Sequence, residues 1–394
     1  MKPKKIYFLQ SHAIQYHSPL YDLFAKQDNL DFKVLYCSDY GLEKSGKRYH
    51  PEFGELPNWD ISLVNGHPYE ILKNYAFKKG IFYGFLGLVN WGIFKKLKQE
   101  KPDLLVILGW NYFTLVYAVI CCKLLNIKVY VRGDNTLDFD KGISSVKKWF
   151  KKVYFGKLLF PLYNMVGWVG EKNKAYFQSY GVKDRKLIKL PHAIDNNRFG
   201  SFFLENINRL NLIKTKLNLV SDFNIMFFGR LNKTKRILDI FNAIKSLKGN
   251  VELVLVGDGV EKEAIEMHAA ANEIENFRIT GFKNQLDIME YYLSADVVVM
   301  ASNYRETWGL VINEALNFNL PVIVSSEVGC SLDLVQESNG FIFPVGDIQK
   351  LAGSIQYLIN HPGERKKMGE KSGEIIQDFS YHTIIKNILN SIDD

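Results

Sequence analysis

At 394 residues the chain is too long for one ordinary core and suits two domains. Its composition, 47% apolar and 23% charged with no low-complexity tract, excludes a disordered or fibrous chain, and its four cysteines (Cys37, Cys121, Cys122, Cys330), with no C-x-x-C pair, argue against a disulfide framework or a structural zinc site and for a reducing, cytosolic setting. Charge is uneven: residues 1–200 carry 31 Lys and Arg against 17 Asp and Glu, whereas residues 201–394 carry 19 against 25, as expected if only the first half faces an anionic surface.

In chain order, KIYFLQ is a first strand whose apolar run is too short for a signal peptide. The loop after it, SHAIQYHSPLYDL, holds His12 and His17. A histidine there can bind phosphate or an acceptor, or take a proton near neutral pH; a plain hydrogen-bonded loop histidine fits equally. DFKVLYCS is a second strand. Residues 104–125 form the longest apolar region, but Gly109, Asn111 and Lys123 interrupt it, and it divides into a strand (LLVILG) and a helix (FTLVYAVICCKLL) rather than one membrane span. KVYVRGD ends in Arg132 and Asp134. Residues 147–155, KKWFKKVYF, are basic and aromatic together, and Lys78-Lys79 and Lys95-Lys96 share that setting. Such a face suits an anionic membrane interface, and also a solvated helix with a buried aromatic stripe. No base-stacking or groove-reading motif supports nucleic acid.

MVGWVG is a further strand, and the break falls between Pro191 and Asn224. The second half alternates again: FNIMFFG, VELVLVG, FRITGF, VVVMAS, PVIVSS and GFIFPV, with amphipathic segments at 237–247 and 286–293 between them. Such alternation predicts α/β architecture, two doubly wound Rossmann-like domains facing a cleft. The predicted bounds are 1–200, 201–375 and a last amphipathic helix, 376–394, that packs back on the first domain. Gly257-Asp258-Gly259 lacks the third glycine of a dinucleotide fingerprint, so it reads as a tight turn and not as an NAD site.

Residues 301–325, ASNYRETWGLVINEALNFNLPVIVS, place Glu306 and Glu314 eight residues apart. Thr307-Trp308-Gly309-Leu310 reads as a helix opening, with Glu306 just before it and Glu314 about two turns in. The free N–H groups and partial positive charge of a helix start suit a diphosphate. Together with FFGRLNKTK, VELVLVGDG, RITGF and YYLSADVVVMAS in that order, this segment resembles the retaining nucleotide-sugar glycosyltransferases of family 4, which have the GT-B fold. The resemblance covers nearly all of the second half; the first half is similar only in organisation and in its histidine-bearing first loop.

The resemblance implies that Arg230 and Lys235 bind the donor diphosphate and that Glu306 lies against the sugar. It further implies that Glu314 accepts hydrogen bonds from ribose hydroxyls and that Gly281-Phe282 contacts the nucleobase through its backbone. Thr307, Trp308, Gly309 and Leu310 would complete the donor site. Two positions depart from the family pattern. Arg236 follows Lys235 where glycine is usual, and Arg132 and Asp134 stand where many members have a histidine near the sugar. His12, His17, Arg132 and Asp134 are therefore the candidates for acceptor or phosphate contacts.

Charge on a leaving diphosphate can be met by a bidentate guanidinium and an ammonium in place of a metal, so the expectation is a metal-independent transferase with a nucleoside-diphosphate sugar as donor and no further cofactor, and the resemblance implies that it is retaining. The expected acceptor is a lipid-linked or surface polysaccharide intermediate, and the expected location cytoplasmic, peripheral to the membrane. The rival readings are a nucleotide-sugar epimerase or soluble small-metabolite transferase, and a non-catalytic sugar-nucleotide-binding partner.

Overall fold

The computed structural model describes residues 3–42, 49–50, 54–55 and 62–392. The chain forms two units, Met1–Pro191 with Tyr381–Asp394, and His192–Ser380. The boundary thus falls at Pro191, before the expected residue 200.

Unit 1 contains β1 (Lys4–Gln10), β2 (Leu30–Tyr36), a small antiparallel pair β3 (Tyr49–His50) and β4 (Gly54–Glu55), then β5 (Tyr69–Ile71), β6 (Leu104–Leu108), β7 (Lys128–Arg132), β8 (Met165–Trp168) and β9 (Leu187–Lys189). Seven strands make one parallel sheet in the order β5-β2-β1-β6-β7-β8-β9. The switch between β1 and β6 makes the unit doubly wound. Ile6, Leu9, Val106 and Val131 are fully buried, as strands covered on both faces require.

The crossovers leading from β5 through β9 all step the same way, so right-handed connections put them on one face. These are the helices Ile93–Glu100, Phe113–Leu124, Ser145–Val153 and Glu171–Ser179, which close over a core including Leu97, Leu115, Val119, Phe160 and Phe177. The apolar region at 104–125 is accordingly β6 plus the helix Phe113–Leu124, and among the described residues no helix is long and apolar enough to cross a membrane. The final helix, Tyr381–Ile392, belongs to unit 1: Tyr381 donates to the Tyr16 carbonyl at 2.7 Å, and Tyr130 to that of Ser391 at 2.8 Å. The basic aromatic helix Ser145–Val153 buries none of its residues, and Trp149 and Phe150 are 60% and 62% exposed. A buried aromatic stripe is not what holds it.

Unit 2 contains β10 (Phe223–Phe228), β11 (Val251–Val256), β12 (Phe277–Ile279), β13 (Val297–Met300), β14 (Val322–Ser325) and β15 (Gly340–Phe343), all parallel, in the order β12-β11-β10-β13-β14-β15. This is again a doubly wound sheet, with its switch between β10 and β13. Every residue of β10 and β11 is buried. At about 1.5–3 kcal/mol for each fully buried Leu, Ile, Val or Phe, these two strands anchor the unit. The polar stretch before β10 forms two helices, Asn196–Asn206 and Leu210–Lys216.

Candidate functional site

The candidate site lies where the chain leaves β10 and β13, on either side of the switch in unit 2. After β10, Gly229 (φ 130°) turns the backbone into the loop that holds Arg230. Asn232 caps a short turn, Lys233–Lys235, by accepting from the Lys235 N–H at 3.3 Å. The turn ends at Arg236, whose φ of 49° is left-handed. A side chain in that region costs about 1–2 kcal/mol, which explains the family's glycine. Here the Arg236 guanidinium bonds both carboxylate oxygens of Asp239, at 2.6 and 3.0 Å. The charge that Arg236 adds in place of the usual glycine is therefore answered by the first turn of the helix Ile237–Ile244.

The loop after β13 is sewn to this one by the Asn303 N–H, which donates to the Thr234 carbonyl at 2.9 Å. That stitch brings Glu306 to Lys235, and the ammonium pairs directly with the carboxylate. Both side chains are largely covered, 15% and 17% exposed. Gly229 lines the same spot, since a Cβ there would stand 3.8 Å from the Lys235 Nζ. Three residues expected to act together are thus within one pair of loops.

Gly309, at φ 97°, precedes the helix Leu310–Asn317. The helix opens at Leu310 and not at Thr307, so Glu314 sits just over one turn into it, not two. Thr307, Trp308 and Gly309 separate Glu306 from this helix end, whose first N–H groups and partial positive charge favour an anion. Glu314 is buried and accepts from the Tyr292 hydroxyl at 2.6 Å, while the Tyr292 ring stacks on Phe228 at 3.7 Å.

Trp308 is expected in the donor site through its backbone N–H, and its side chain has a separate task. Its indole points inward, donating to Asn313 Oδ1 at 2.7 Å beside His192, with ring centroids 5.3 Å apart. Asn313 also donates to the His192 carbonyl at 3.0 Å, and Asn317 to Asn196 Oδ1 at 3.1 Å. These buried amides fix the helix that carries Glu314. Their signal was two asparagines four apart in a helix whose other residues, Glu314 aside, are apolar. Gly281 (φ 73°) forms the turn after β12, and Phe282 beside it is half exposed. Gly257 and Gly259 let the β10 and β11 loops touch, since a Cβ would meet the Gly229 carbonyl oxygen at 1.8 Å and that of Leu231 at 2.3 Å. They serve packing, as the tight-turn reading holds.

In unit 1, His12 Nδ1 lies 2.9 Å from Ser11 Oγ, and its ring meets the edge of Tyr40. His17 Nδ1 lies 3.2 Å from Gln10 Oε1, which also accepts from the buried Tyr21 hydroxyl. Arg132 differs from an open ligand contact, for it clamps the Leu190 and Pro191 carbonyls at 2.9 and 3.0 Å. Burial draws its guanidinium below the usual arginine range, and Asp134 opposes that. A cavity of about 520 Å³, lined in part by Ser38, Tyr40, Lys73, Lys79 and Tyr83, opens beside the β2 and β5 ends and was not anticipated. The alternation of lysine and aromatic residues over 73–83 was its only sequence signal.

Residues 211–374, inside unit 2, match the family model of glycosyl transferases group 1. This part of the chain is a glycosyl transferases group 1 domain. The capsular polysaccharide biosynthesis glycosyltransferase CapM of Staphylococcus aureus is 28% identical over 214 residues, covering 53% of this chain and 56% of CapM. The 2-deoxystreptamine N-acetyl-D-glucosaminyltransferase of Niallia circulans is 24% identical over 182 residues, 45% of this chain and 46% of that one. These matches span about half the length of each relative. The structure of Anabaena HepE in complex with UDP has the same fold, with a TM-score of 0.74 at 18% identity over 99% of both chains. The group 1 domain thus contains the Lys235–Glu306 pair and the helix that opens at Leu310.

Proposed function

We propose that the protein is a retaining glycosyltransferase that moves a sugar from a nucleoside-diphosphate sugar to a hydroxyl acceptor. The observation that carries this is the Lys235–Glu306 pair, held by two loops at the start of the helix Leu310–Asn317. A diphosphate at that helix end meets the Lys235 ammonium, the Arg230 guanidinium and the helix N–H groups. As the bond from C1 to the leaving oxygen breaks, negative charge grows on the diphosphate, and these fixed donors stabilise it without a metal. Glu306, relieved of part of its pairing with Lys235, lies against the sugar carbon as positive charge develops there. The new bond from C1 to the acceptor oxygen forms on the face the diphosphate leaves, and the acceptor proton departs with the diphosphate. Glu314 takes the ribose hydroxyls.

The acceptor is a lipid-linked or surface polysaccharide intermediate, handled by a cytoplasmic protein peripheral to the membrane. The cavity beside Tyr40 and Lys79 in unit 1 is where its anionic or sugar portion fits. A second reading, a small soluble acceptor, is favoured by the likeness to the 2-deoxystreptamine-acting relative. Binding of a panel of UDP-, GDP- and ADP-sugars to the purified chain tests the donor half, with UDP-sugars the first choice because the HepE complex holds UDP. Selective binding lost in Arg230→Ala is expected. Equal binding by wild type and Arg230→Ala would reject this site.

A further inference from the structure

The face of unit 1 covered by the crossover helices is apolar on its outer side as well as its inner side. The helix Phe113–Leu124 buries Leu115, Ala118, Val119 and Cys122 against the sheet. Ile120 and Leu124, 47% and 73% exposed, face outward, and the half-buried Phe113 and Tyr117 continue the same helical row. A helix facing one core needs a single apolar stripe.

The loop before it extends the patch. Trp91 is half exposed and packs edge-on against Phe113 and Tyr117, with ring centroids 4.7 and 5.1 Å apart. Phe77 is fully exposed, and Tyr83 and Leu86 are more than half exposed. This loop is built to stand there. Asn74 Oδ1 accepts from the Ala76 and Val89 N–H groups at 3.0 Å, and Asn90 Nδ2 donates to the Cys37 and Leu72 carbonyls at 3.1 and 2.9 Å. On the same face the helix Ser145–Val153 exposes Val146, Trp149 and Phe150.

Charge decides what covers this surface. Residues 71–170 hold sixteen Lys and Arg against five Asp and Glu. The acids are engaged within the unit: Glu100 by Lys33, Asp103 by the Lys5 N–H, Asp138 by Lys141, Asp140 by Lys151 and Asp134 beside Arg132. Lys95, Lys98, Lys123, Lys147, Lys148 and Lys152 are exposed around the aromatic side chains. Two such faces would repel each other across a two-fold axis, whereas apolar and aromatic side chains ringed by lysines match a bilayer of anionic lipid.

We propose that this face, formed by the loop 74–91 and the helices Phe113–Leu124 and Ser145–Val153, docks on an anionic lipid bilayer. The proposal deepens the peripheral placement above and rests on that reading; nucleotide binding in unit 2 does not depend on it.

The test is cosedimentation of the full chain with vesicles of phosphatidylglycerol and phosphatidylcholine, against vesicles of phosphatidylcholine alone. The expected result is binding to the anionic vesicles only, weakening as salt is raised. Ile120→Ser with Leu124→Ser, and separately Trp149→Ser with Phe150→Ser, should each lower partitioning about tenfold or more, since these exposed side chains supply the buried apolar area. Their melting temperatures and UDP-sugar binding should stay at the wild-type value. Three results would overturn the proposal: wild type left in the supernatant, wild-type partitioning by the Ile120/Leu124 variant, or a wild-type dimer in sedimentation equilibrium that this variant makes monomeric. Vesicle binding lost with donor binding intact would leave the donor-site proposal standing.

Discussion

Lys235 and Glu306 form a pair for which a bound diphosphate would compete, and that is the chemical content of the site. The resemblance to the glycosyltransferase family singled out both residues, and the fold brings their side chains together. The packing of the Trp308 side chain was not legible, since sequence does not say which side of a loop faces the core, and here an indole N–H found a buried amide in Asn313. Arg132 was misjudged for a similar reason, as a strand-end guanidinium met two backbone carbonyls. Arg236 offers a test at this scale. Arg236→Gly relieves the left-handed backbone while losing the Asp239 pair; Arg236→Ala loses the pair and keeps the strain. The glycine variant should therefore be the more stable of the two by about 1 kcal/mol, read by denaturant unfolding. Equal stability would mean the turn carries no strain.

At the scale of elements, the long apolar strands and the amphipathic helices of unit 2 were readable from periodicity. The short strands β5 and β9 were not among the runs identified. The start of the helix at Leu310 depends on the left-handed Gly309, which a propensity reading places too early. Glu100 shows how an element is fastened by charge. It ends the helix Ile93–Glu100 and binds Lys33 of β2, Tyr7 of β1 and Lys96. Burial pushes its carboxyl up, but the hydrogen bonds from Lys33, Tyr7 and Lys96 outweigh this and hold it at about 2. Because the folded value lies below the unfolded one, the stabilisation is present above about pH 4.5 and lost as pH falls toward 2. Glu100→Gln should lower stability at neutral pH and flatten the acid side of the stability curve. An unchanged acid slope would contradict the assignment.

Over the whole molecule, two doubly wound units were legible from alternation alone, and the crossover of the final helix into unit 1 was legible from its position and amphipathic pattern. The outer stripe of the helix Phe113–Leu124 was hidden, because a helix apolar on both sides reads the same whether its second side meets protein or lipid. The lysine excess of the first half includes Lys95, Lys98 and Lys123, which are exposed in unit 1. Under the proposed function, the group 1 domain handles the nucleotide sugar and unit 1 receives the acceptor.

The measurement that bears most directly on this account is release of nucleoside diphosphate from the donor selected by binding, comparing wild type with Glu306→Ala at saturating donor. Slow acceptor-free release by wild type, reduced about 10²–10³-fold in Glu306→Ala with donor affinity retained, is the predicted result. Release by Glu306→Ala at the wild-type rate would contradict the catalytic assignment of the Lys235–Glu306 site.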